Sequence, residues 1–79
     1  MRILNEKTDE AISHITLYLT LSEASELRDS LEALITNPLG RHEHIPSDDY
    51  SKEITVCLYD LNVLDNFNER SRRLIIQDI

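Results

Sequence analysis

The stretch from residue 14 to residue 37 constrains the fold most, because it predicts a strand that leads directly into a helix. Apolar and polar residues alternate over 14–20, which is typical of a strand with one buried face. The apolar face would carry Ile15, Leu17 and Leu19. We therefore expect this strand to lie against the core, with its other face towards solvent or a partner.

The predicted helix begins at Thr20, which lies three residues before Glu23. This spacing is that of a capping box, in which each side chain accepts a hydrogen bond from the other residue's backbone N–H. The helix should end at Asn37, because the residue before a proline, here Pro38, is disfavoured in the α region. Three- and four-residue spacings place one apolar stripe along it: Ala24, Leu27, Leu31, Leu34 and Ile35.

Two further strong elements follow. Residues 52–61 predict a second strand with two fairly apolar faces, which favours a central position in a sheet. Residues 65–78 predict a second helix, with Asp65 or Asn66 as its N-cap.

Weaker patterns surround these elements. Residues 1–4 predict a brief edge strand that would form a hairpin with a strand beginning near Ala11. Residues 38–51 form the one long irregular segment, and such segments are often functional in compact domains. Within that segment, 41–45 alternates weakly and predicts a short strand.

Together the elements predict a single small α+β domain over residues 1–79, with a β-α-β-α core, one or two minor strands and two helices packed on one face of a small sheet. Strands joined through the first helix would be parallel with a right-handed crossover, whereas a strand at 41–45 would permit an antiparallel arrangement. A chain of this size buries only about 60% of its unfolded surface, which is a reason to consider a homodimer.

The charge balance narrows the choice of partners. The chain has 15 acidic and 8 basic residues, a formal net charge of −7. Such a chain repels nucleic acid and anionic membranes and suits a basic protein partner. The alternative is that the acidity has no partner behind it, since many cytosolic bacterial-type domains are acidic. With one cysteine, no signal-peptide pattern and no apolar run near 20 residues, we expect a cytoplasmic protein.

The face of the predicted sheet that lies away from the helices is a first candidate binding surface. It would carry His14, Thr16, Tyr18, Thr55, Cys57 and Tyr59. Tyrosine offers a large contact area with a polar end, so Thr16, Tyr18 and Tyr59 are candidate binding residues. An ordinary solvated face and a dimer interface are the alternatives.

A second candidate surface is the acidic side of the first helix. Residues 20–36 carry a net charge of −3, and Glu26 and Asp29 are the candidate contacts. An acidic face can bind a basic partner, such as a nuclease toxin, by mimicking its phosphate substrate. The alternative is a solvated helix face.

The third candidate is a metal site at His42 and His44, which would point to the same side of an extended segment. A third ligand could come from His14, Asp48, Asp49 or Glu53. The alternative is a polar loop whose surface histidines titrate near pH 6.5.

Catalytic patterns are otherwise absent from the sequence. Cys57 lies within a predicted strand, where a cysteine behaves as a small apolar residue. A single glycine excludes a glycine-rich phosphate loop. We therefore expect a non-enzyme without a cofactor.

In size, acidity and lack of catalytic motifs the chain is similar to bacterial immunity and antitoxin proteins. It shares no motif with them, so the resemblance assigns no residues. The sequence predicts a non-catalytic interaction domain that binds a protein partner or itself. The alternative function is a metal-binding enzyme or sensor that uses His42 and His44.

Overall fold

The computed structural model describes residues 1–38 and 42–79. In chain order its elements are β1 (Ile3–Asn5), β2 (Glu10–Ile12), α1 (Leu21–Thr36), β3 (His42–Pro46), β4 (Glu53–Cys57) and α2 (Glu69–Gln77). The described residues thus form two helices and two antiparallel two-stranded sheets, β1–β2 and β3–β4, which is a mixed α+β fold.

The chain divides into two compact units. The first unit comprises Met1–Leu17 together with Tyr59–Ile79, and the second comprises Tyr18–Leu58. Each unit therefore contains one hairpin and one helix. The prediction of one domain over residues 1–79 stays a prediction.

In the first unit, β1 and β2 form the predicted N-terminal hairpin, with Ile3 opposite Ile12. The turn depends on Asn5, whose side-chain oxygen accepts hydrogen bonds from the backbone N–H groups of Lys7 and Thr8. Such a contact is an Asx turn, which replaces a backbone turn with a side-chain acceptor.

Helix α2 begins later than predicted. Its N-cap is Asn68, which accepts a hydrogen bond from the backbone N–H of Ser71, so the expected caps Asp65 and Asn66 were wrong. The helix buries Leu74 and Ile75.

Two arginines join the first unit's helix to its hairpin. The Nε of Arg2 donates to the carbonyl oxygens of Leu74 and Ile75, at 3.2 and 3.1 Å. The guanidinium of Arg70 donates to the Oδ1 of Asp9 at 2.8 Å and to its carbonyl oxygen at 2.9 Å. A cation at the carboxyl end of a helix also interacts favourably with the helix dipole, so Arg2 stabilises α2 in two ways.

In the second unit, α1 begins and ends as predicted. Thr20 is its N-cap, and both hydrogen bonds of the capping box with Glu23 are present. The backbone N–H of Asn37 bonds to the carbonyl oxygen of Ala33 and closes the last turn.

Strands β3 and β4 pair with Ile45 opposite Ile54. In both strands the side chains alternate between exposed positions and more buried ones, and β3 is the strand that packs against α1. Leu34 of α1 and Ile45 are the buried centre of this unit, at 0% and 2% exposure. The short strand predicted at 41–45 is confirmed for its part within β3, while Arg41 lies outside the described residues.

The strand predicted over 14–20 was wrong, since no strand is assigned there. Alternation alone does not make a strand, because a strand needs a hydrogen-bonding neighbour, and each strand of the two sheets pairs only within its own hairpin. The segment is exposed on both alternating sets of side chains. The β-α-β-α arrangement with both helices on one sheet face is not confirmed.

The second strong strand is shorter than its predicted range of 52–61. It ends at Cys57, and an isolated bridge between Asp60 and Val63 follows. Of the helices that residues 1–38 and 42–79 form, none combines the length and apolar character that crossing a bilayer requires.

Candidate interaction surface

Helix α1 presents three different sides, and only one of them is covered by the hairpin of its own unit. The helix packs against β3, with Leu34 fully buried and Leu27 and Ser30 half-buried on the same side. This side holds the helix in place. The other two sides are the candidate surfaces.

The second side is an apolar groove that runs along α1 and stays open to solvent. Its lining residues, called the α1 groove below, are Leu19, Ala24, Leu27, Arg28, Leu31, Glu32 and Ile35. Leu31 is 40% exposed and Ile35 72% exposed. The predicted apolar stripe is therefore divided, because Leu34 enters the core whereas its neighbours border the groove.

The third side of α1 is acidic. Glu26 and Asp29 are exposed there, as the sequence predicted for a binding surface. Among residues 1–38 and 42–79, the Asp29 carboxylate contacts only Arg28, whose Nε lies 3.1 Å from its Oδ1. A surface ion pair between adjacent residues contributes little stability, so the acidic side stays free to bind a cation.

The amino-terminal end of α1 is tied to the β3–β4 turn. The carboxylate of Asp48 accepts hydrogen bonds from the hydroxyls of Thr20 and Ser22, at 2.7 and 2.8 Å. In return the carboxylate of Glu23 accepts from the backbone N–H of Asp48, at 2.8 Å. The helix dipole favours a negative charge at the amino-terminal end of a helix, so the Asp48 carboxylate stabilises α1 directly.

Hydrogen bonds lower two carboxyl pKa values near this turn. The backbone N–H of Thr20, and then that of Asp48, hold the pKa of Glu23 below its ordinary value of 4.5. The hydroxyls of Ser51 and Ser47 hold the pKa of Asp49 far below its ordinary value. In both cases the donors stabilise the charged form of the carboxyl group. The Asp49 carboxylate therefore stabilises the β3–β4 turn, and the Glu23 carboxylate stabilises the N-cap of α1.

The sheet face predicted to carry Thr16, Tyr18 and Tyr59 does not form as expected. None of the three lies in a strand, and Tyr18 belongs to the second unit whereas Thr16 and Tyr59 belong to the first. Tyr18 is 93% exposed. The binding roles of these residues stay predictions.

His42 and His44 do share the exposed face of the β3–β4 hairpin, as the strand alternation required. Their ring centroids are 4.8 Å apart in an edge-to-face arrangement. His44 also hydrogen-bonds Thr55 through Nδ1 at 2.9 Å and lies 3.5 Å from the carboxylate of Glu53. Across residues 1–38 and 42–79, no group of three or more His, Cys, Asp or Glu side chains is arranged to hold a metal ion.

The sequence reasoning did not single out Arg28 and Glu32, the two charged residues that line the α1 groove. Their signal was present as a four-residue spacing beside the apolar stripe, which places them one above the other on the helix. Comparison with known proteins gives no assignment: no family model matches the chain, and neither a curated protein nor a solved structure matches it significantly.

Proposed function

We propose that this protein is a non-catalytic interaction domain that binds a basic protein through the acidic side of α1. The exposure of Glu26 and Asp29 on a side of the helix that the hairpin does not cover is the observation that carries this proposal. The partner would place lysine or arginine side chains against these two carboxylates.

The distribution of charge between the two units supports this assignment. The first unit has seven acidic and five basic residues, whereas the second has eight acidic and three basic residues. The second unit therefore carries −5 of the net charge of −7. Like charge on one region speeds the approach of an oppositely charged protein and orients it during the encounter.

A nuclease toxin is one class of partner that fits, since its substrate site is built to bind phosphate. In that case the domain would act as an immunity or antitoxin protein in the cytoplasm. The contact would be strongest at low ionic strength, because salt screens exposed charges over a distance of about 10 Å at 0.1 M.

A pair of charge-reversed variants tests the proposal. Glu26→Lys with Asp29→Lys changes the acidic side of α1, and Glu6→Lys with Glu10→Lys makes the same change in net charge at exposed residues of the first unit. Both variants have a net charge of −3. Wild type and both variants would be immobilised, and captured proteins from the source cell compared by quantitative mass spectrometry.

Support requires a basic protein that wild type and the Glu6/Glu10 variant retain and the Glu26/Asp29 variant loses. Its purified form should then bind wild type at least tenfold more tightly than the Glu26/Asp29 variant, with an affinity that falls as salt is added. Equal retention by all three proteins would remove the acidic side of α1 from the proposal.

A further inference from the structure

The α1 groove has a second feature that the proposed binding of a basic protein does not use. Its apolar floor, from Ala24 to Ile35, extends over twelve residues, whose eleven steps amount to about 17 Å of helix. The groove is open rather than enclosed, whereas small-molecule sites bury most of their ligand. Its shape therefore suits another helix.

The two charged residues at the groove indicate which helix would bind there. Arg28 and Glu32 are four residues apart, so they lie on the same flank of the apolar floor and have opposite charge. When two identical helices pack antiparallel about a two-fold axis, each flank faces the same flank of the other copy. Arg28 of one copy then lies level with Glu32 of the other, and the reverse pair forms by symmetry.

We propose that the α1 groove is a self-association surface, through which two copies of this chain pair by antiparallel packing of their α1 helices. The two-fold axis passes at the level of Ser30 along the helix. Ile35 of each copy then lies close to the level of the partner's Ala24, so that a large side chain faces a small one, as close packing of helices requires.

Two further observations agree with this arrangement. The acidic residues Glu26 and Asp29 lie on a different side of α1 from the groove, so they do not face each other across the pair. The contacts that hold Arg28 within one copy, to Asp29 at 3.1 Å and Ser25 at 3.0 Å, are exposed. Arg28 can therefore exchange them for a partner carboxylate at little cost.

The affinity should be modest. Three turns of helix provide less contact than the roughly 800 Å² per partner of standard interfaces. We therefore expect a dissociation constant in the range of about 10 µM to about 1 mM, and a monomer at nanomolar concentration.

Sedimentation velocity over about 1 µM to about 1 mM protein tests the pairing with single and double charge exchanges. Arg28→Glu and Glu32→Arg should each weaken dimerisation at least tenfold, because each places two like-charged pairs across the axis. The double variant R28E/E32R restores both pairs with reversed polarity, and it should dimerise within about threefold of wild type.

The single variants also separate this interface from a general charge effect. Arg28→Glu makes the net charge more negative and Glu32→Arg makes it less negative, so a general repulsion would shift their dimerisation in opposite directions. Leu31→Lys should abolish dimerisation, while Glu26→Gln should leave it unchanged. Circular dichroism of every variant checks that α1 is still formed.

A wild-type monomer at the highest concentration would overturn the proposal. So would a dimer that forms equally well in the single variants, or a double variant no better than the single ones. None of these outcomes bears on the binding of a basic protein, which depends on the other side of α1.

Discussion

Each unit of this molecule joins one helix to one two-stranded hairpin, but the two units use different contacts to do so. In the first unit, Arg2, which precedes β1, donates to backbone carbonyls of α2, and Arg70 of α2 donates to the carboxylate and carbonyl of Asp9. In the second unit, an apolar contact centred on Leu34 and Ile45 is supplemented by hydroxyl and carboxylate groups at the start of α1. Hairpins of this size are marginal without such support.

The difference shows where each unit uses its charge. The first unit employs Arg2 and Arg70 internally, to hold its helix. The second unit depends on apolar burial and leaves most of its acidic residues in solvent. The exposed carboxylates of Glu26 and Asp29 are therefore available to a partner, which is why we propose α1 as the binding surface.

The largest expected effect comes from the apolar contact of the second unit. Leu34→Ala should lower the free energy of unfolding by about 3 kcal/mol, because the side chain is fully buried and its loss leaves a cavity. Ile35→Ala, at the neighbouring exposed position, should cost less than about 1 kcal/mol. Urea unfolding at low protein concentration measures both, and amide exchange should quicken over residues 21–36 in the Leu34 variant.

Equal losses in the Leu34 and Ile35 variants would contradict the distinction between the core side and the groove side of α1. They would also mean that the second unit lacks an apolar centre, so that the two units would not differ in the contacts that hold them together.

A smaller effect is expected from the arginine contacts of the first unit. Arg70→Ala should cost about 1–2 kcal/mol, since it removes three charge-assisted hydrogen bonds, two to Asp9 and one to Ile79, from a side chain that is only 21% exposed. Arg72→Ala, at an exposed position of the same helix, should be close to neutral. Amide exchange should quicken over residues 3–12 and 69–77 in the Arg70 variant alone. Similar exchange in both variants would mean that the arginine contacts do not hold this unit.

The smallest effect concerns pH and sharpens the role of carboxylates in the second unit. Because folding lowers the pKa of Glu23 from 4.5, its ionised form stabilises the fold above that pH, and the contribution is lost as pH falls below it. Glu23→Gln should therefore lower Tm at pH 7, with the difference from wild type shrinking below about pH 4.5. Glu26→Gln is the matched control. A pH-independent difference would assign the effect to the side chain's shape rather than its charge.

The helix α1 was predictable because its signals are local. The capping box at Thr20 and Glu23 and the stop before Pro38 depend on residues within a few positions of each helix end. The division of its apolar stripe was not predictable, because periodicity shows which residues share a side but not how much of that side the hairpin covers.

The prediction of a strand over 14–20 was wrong because its signal was not local. Whether a segment forms a strand depends on a hydrogen-bonding partner that can lie far along the chain. The start of α2 failed because Asp65, Asn66 and Asn68 are all suitable caps, and the sequence does not choose among them. The candidate surface was predictable only in its exposure, and its binding role stays a prediction. Glu26 and Asp29 are exposed as expected, whereas the groove pair of Arg28 and Glu32 required the structure.

The two units are nested in the chain, and this has a consequence for the order in which they can form. The second unit is one continuous segment of residues 18–58. The first unit requires contacts between residues 61 and 73 positions apart, those of Arg70 with Asp9 and of Arg2 with Ile75. During synthesis the second unit can therefore fold before α2, which the first unit requires, has been synthesised. The first unit is then completed in one step, when α2 docks onto the β1–β2 hairpin after the whole second unit has been synthesised.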